Sequence, residues 1–103
     1  MTTINHTEYP ASLVNKTEAE LRYAMADAYR AIQAFPDGKK VGYYADEINY
    51  VCNELHRRDK MFRDLQNLQM PVMAKDSLID RETFFSRPED ERQEYLAWLR
   101  KQQ

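Results

Sequence analysis

The chain reads as an all-α protein: a helical hairpin with a long second helix, followed by a C-terminal helix. Three observations predict this. Val41, Tyr44, Ile48, Val51, Leu55, Phe62 and Leu65 recur at steps of three and four, broken only by Arg58. That spacing lines apolar residues along one face of a helix. Thr17 and Ser86 each stand three residues before a glutamate, Glu20 and Glu89, the pattern of a capping box at a helix start. Two glycines and four prolines in 103 residues are too few for the closely spaced turns of a β-sandwich or barrel.

Residues 1–16 read as an extended N-terminal arm, and residues 17–103 as a single helical domain. Pro10 biases Tyr9 away from helical geometry, and Leu13 with Val14 is expected to tack the arm to the body. Thr17 opens the first helix, which carries Leu21, Ala24, Met25, Ala28, Ile32 and Phe35 on one face. Pro36-Asp37-Gly38 stops it and turns the chain. The second helix starts between Lys39 and Tyr43. There Gly42 is a weak helix former that leaves the first turn loose or admits a close backbone contact. Pro71 ends it near Met70. A helix from Lys40 to Met70 would span about 46 Å against about 27 Å for Glu18 to Phe35, so part of it needs another cover. Two covers offer themselves: the C-terminal helix, or a second copy of the chain bound along the seam as a homodimer. An apolar, irregular connector, 71–85, leads on with Asp80 as the cap of a short turn. The C-terminal helix runs from Pro88 to about Gln102, capped by Ser86, with Tyr95, Leu96, Trp98 and Leu99 on its apolar face.

A chain of this length holds one domain. Its formal charge of -2 provides no basic field for nucleic acid. One cysteine, Cys52, rules out an internal disulfide and a cysteine-clustered zinc site. No stretch approaches the roughly 20 apolar residues of a membrane span, and Met1 to Tyr9 is too polar for a secretory signal. A cytoplasmic protein without membrane attachment is expected.

No catalytic residue stands out. Cys52 and His56 lie one helical turn apart, but no third group completes a nucleophilic triad, and Cys52 sits among core positions. Asp46, Glu47 and Glu54 on the second helix, with Glu18, Glu20 and Asp27 on the first, form no Glu-x-x-Glu or Glu-x-x-Asp pair. A hard cation wants several convergent oxygen ligands, so no metal is expected. No glycine-rich phosphate loop or nucleotide fingerprint occurs, and no cofactor is expected. The basic cluster Arg57, Arg58, Lys60 and Arg63 could meet phosphates. Asp59 and Asp64 dilute it, and a solvated helix face is the favoured explanation. Arg58 occupies a seam position, where a charge fixes register or pairs across an interface.

Tyr43, Glu47, Tyr50 and Glu54 line up at i, i+4, i+7 and i+11, beside the apolar seam. Tyrosine suits a surface that is wet alone and buried in a complex, so this stripe, with Arg58 and Trp98, is the candidate partner-binding surface. The competing reading is that the tyrosines widen the core.

The block Gly42-Tyr43-Tyr44-Ala45-Asp46-Glu47-Ile48-Asn49-Tyr50-Val51, with Glu54-Leu55-His56-Arg57-Arg58 after it, resembles segments of small tailed-phage proteins. The resemblance implies a phage-encoded protein acting in a bacterial host, and it assigns no site residue. The expected function is a non-catalytic protein–protein interaction module, a small modulator or inhibitor of a host macromolecule. The alternatives are a nucleic-acid-associated helical protein and a metal-dependent helical hydrolase.

Overall fold

The structure, a computed structural model, describes residues 4–103; the first three residues of the expected arm lie outside them. The fold is all-α. Five helices follow in order: α1 (Glu8–Leu13), α2 (Glu18–Ala34), α3 (Val41–Gln69), α4 (Arg81–Phe85) and α5 (Glu89–Lys101), with a 3-10 turn at Lys75–Ser77. They form two compact units, Met1–His56 and Arg57–Gln103. The division falls inside α3, which supplies residues to both, whereas the sequence places a single domain over 17–103.

In the first unit the arm is not extended. Asn5 Oδ1 accepts hydrogen bonds from the backbone N–H groups of Thr7 and Glu8, at 3.0 and 2.8 Å, and so seeds α1. Pro10 sits in the first turn of α1, where an N–H has no intrahelical acceptor and a proline is tolerated. Leu13 is fully buried with Leu21 and Val51, with Met25 and Leu55 packed around them. The capping box is present as expected: the Glu20 N–H donates to Thr17 Oγ1, and the Thr17 N–H to Glu20 Oε1. Those bonds from the Thr17 backbone and hydroxyl hold the Glu20 carboxyl below its ordinary value.

After Ala34 the Phe35 N–H still reaches Ala31 O, and the Gly38 N–H donates to Phe35 O at 3.0 Å, closing the turn before α3. The hairpin is antiparallel: Ala31 and Phe35 lie near Val41 and Tyr44, while the Cys52 thiol donates to Met25 Sδ at 3.5 Å. Gly42 has open space where a Cβ would stand, so no close backbone contact explains it.

In the second unit Met61 and Leu65 of α3 pack with Phe84 and Phe85 of α4 and with Leu96 and Leu99 of α5. The C-terminal helix is therefore the cover of this part of α3. The connector is more ordered than expected. Asp80 caps α4 by accepting from the Thr83 N–H at 2.7 Å, as the sequence predicts, and Ile79 and Met73 pack on the core. Ser86 does not cap α5. It ends α4, and its hydroxyl donates to Thr83 O at 2.7 Å. Pro88 holds the N-cap position of α5 without a side-chain bond, and Glu89 is drawn to arginines instead.

Along α3, Val51, Arg58 and Leu65 are buried, as the seam predicts. Between them Glu54 and Met61 are buried, while Leu55 and Phe62 are only half-buried. The buried stripe is thus turned toward one side of the expected seam.

Candidate functional site

No member of the predicted stripe is fully exposed: Tyr43, Glu47 and Tyr50 are half-buried and Glu54 is buried. Tyr43 is half-buried, its ring edge-on to Tyr44 with centroids 5.6 Å apart. Glu47 hydrogen-bonds the Tyr9 hydroxyl; burial first, then the charge and hydrogen bond of Glu47, push that phenol well above its usual value. Tyr50 shares a hydrogen bond with His6 Nδ1. Its ring lies 5.7 Å from the His6 ring and 6.1 Å from Tyr9. For Tyr50 the widened core is therefore the better description: the N-terminal segment covers it.

Two other candidates are not accessible. Glu54 is 7% exposed and Arg58 0%, so neither presents a surface to a partner. The reason for Arg58 is in the second unit. Its guanidinium carbon lies 5.2 Å from the centre of the Phe85 ring, Arg92 lies at the same distance, and Arg81 at 5.6 Å. A ring quadrupole attracts such cations, most strongly when water is excluded. Arg92, fully buried, also donates from Nε to Arg87 O and from Nη1 to Glu89 Oε2, both at 2.9 Å. Arg57 donates to the same carboxylate through both terminal nitrogens, at 2.8 and 3.0 Å, the paired geometry that suits a planar guanidinium. Arg81 pairs with Asp59 and lies over Phe62.

Two members of the proposed phosphate-contacting patch thus serve the fold: Arg57 holds Glu89 and Arg58 is buried. Lys60 and Arg63 remain exposed. The sequence marks the arginine clasp on Phe85 only through Arg58, a charge on an apolar seam.

Burial raises the Glu89 carboxyl, but hydrogen bonds from Arg57 and Gln93 and the charges of Arg57 and Arg92 outweigh it, leaving it below its ordinary value. A depressed folded pKa contributes stability that is complete above the ordinary glutamate value of about 4.3 and is lost as pH falls through the lower folded value. Glu89→Gln should therefore be less stable near neutral pH and show a shallower acid limb in a pH series of urea melts. An unchanged limb would remove Glu89 as its source.

Trp98 is the candidate that stays open. Its indole stacks on Tyr95, centroids 6.0 Å apart and planes 26° apart, yet it is 48% exposed. Arg87 lies over Tyr95 at 5.6 Å, and the Tyr95 hydroxyl donates to Gln69 Oε1 at 3.2 Å, so the platform beneath the indole is held in place.

Cys52 is half-buried against Met25, and His56 is exposed. Among the described residues no group of three or more His, Cys, Asp or Glu side chains could hold a metal ion. No helix among them is long and apolar enough to cross a membrane.

Fold and surface together define a small all-α chain of two units with a supported, exposed aromatic stack. No family model matches it, and neither the curated proteins nor the solved structures yield a match.

Proposed function

We propose that the chain is a non-catalytic protein–protein interaction module, a small modulator or inhibitor of a host macromolecule, working in the bacterial cytoplasm if phage-encoded. The observation that carries this reading is the Trp98 indole, half in water on a fixed Tyr95 platform. Large aromatic side chains that are ordered before binding lose little conformational freedom on burial and often dominate an interface. Tyr43, half-buried at the outer end of the stripe, is the second contact. Glu47, Tyr50, Glu54 and Arg58 support the fold instead.

A tagged wild-type chain and its Trp98→Ala and Tyr43→Ala variants, incubated with nuclease-treated bacterial lysate, test it. One stoichiometric protein held by the wild type and depleted at least tenfold by Trp98→Ala, with helicity unchanged, is the expected result. Equal capture by all three would remove this surface. Recovery only from lysate without nuclease would move the reading to nucleic acid and to Lys60 and Arg63.

A further inference from the structure

We propose that the apolar pocket at the tip of the α2–α3 hairpin receives the Trp98 face of a second copy of this chain, so that the protein associates head to tail. The pocket, about 380 Å³, is lined by Ala31, Phe35, Val41 and Tyr44 together with Lys39 and Lys40. It exists because α2 ends at Ala34 and the turn carries Phe35 past the end of the helix, where its ring is 74% exposed. An apolar recess lined by an exposed phenyl and two exposed lysines suits an aromatic side chain accompanied by carboxylates.

The second unit presents that combination. On α5, Glu91 and Glu94 precede Trp98 by seven and four residues, so the three share one helical face. All three are exposed. Tyr95 covers one side of the indole, leaving the other side for Phe35 of the second copy and the glutamates within reach of Lys39 and Lys40. The net charges of the units have the reverse polarity to this local pairing, yet they too are opposite in sign. Met1–His56 carries 5 Lys/Arg against 8 Asp/Glu, a formal -3, and Arg57–Gln103 carries 10 against 9, a formal +1. Opposite charges steer unlike units together more than like ones.

Pocket and indole are different surfaces, so the contact is heterologous: each copy donates one indole and offers one pocket. The inference rests on the reading of the chain as an interaction module, and it fails separately. A wild type that stays monomeric while still capturing a host protein through Trp98 overturns self-association alone.

Sedimentation equilibrium of the full chain over a wide concentration range is the test. The weight-average mass should rise with concentration above the 12.3 kDa monomer, and less so at high salt, because exposed charges are screened. Trp98→Ala and the double variant Lys39→Glu/Lys40→Glu should each stay at 12.3 kDa with wild-type helicity. Mixed together they should form a pair and stop there, since one keeps its pocket and the other its indole. A wild type that remains at monomer mass, variants that associate like the wild type, or a mixture that does not pair would each overturn the proposal.

Discussion

Arg92→Ala should lower the unfolding free energy by about 3–5 kcal/mol, the usual cost of removing one partner from a buried ion pair. Three losses coincide at that site. Glu89 forfeits one of its two arginines, the Arg87 carbonyl forfeits its donor, and the Phe85 ring loses a cation at 5.2 Å. Arg92→Met refills much of the volume while Arg57 continues to hold Glu89, so it should cost clearly less than alanine. Urea unfolding followed by circular dichroism measures both. A loss below about 1 kcal/mol for alanine, the scale of a surface pair, would mean that Arg92 contributes no more than an exposed residue.

Leu13→Ala should cost about 2–5 kcal/mol, as for a buried leucine whose cavity cannot fully collapse. Leu13 is 0% exposed and touches the same cluster as Leu21 and Val51. If residues 1–16 were merely tacked on, the substitution would fall within about 0.5 kcal/mol, as surface changes do. The same urea measurement separates these outcomes, and the smaller value would return α1 to the status of an arm.

The sequence exposed those features whose cause lies within a few residues. Thr17 with Glu20, Asp80 before α4, and Pro36 to Gly38 are local devices, and each acts as its spacing predicts. The difference at α1 is also local: Pro10 disfavours helical geometry at Tyr9, but α1 holds Tyr9 in its first turn all the same. Ser86 failed because α5 starts later than the spacing implies: Pro88 is its N-cap and Glu89 its first residue, while the Ser86 hydroxyl is already bonded to Thr83 O at the end of α4.

The candidate site was less legible because it depends on distant contacts. Tyr50 lies on the stripe by spacing, but whether it is surface or core depends on His6 and Tyr9 returning to it across some forty residues. Arg58 marks the clasp only once Phe85 and Arg92 are beside it. Trp98 lies at the margin of the face that buries Arg92, Leu96 and Leu99, and there it stacks on Tyr95.

The two units also divide the chromophores between them. Trp98 is the single tryptophan and belongs to Arg57–Gln103, together with Tyr95. Tyr9, Tyr23, Tyr29, Tyr43, Tyr44 and Tyr50 all belong to Met1–His56. Light at the red edge of the protein absorption band excites only the indole, so its emission follows the environment of the second unit. Phenol absorption is weighted six to one toward the first. Indole emission, with no label attached, thus reports on the second half of this chain by itself.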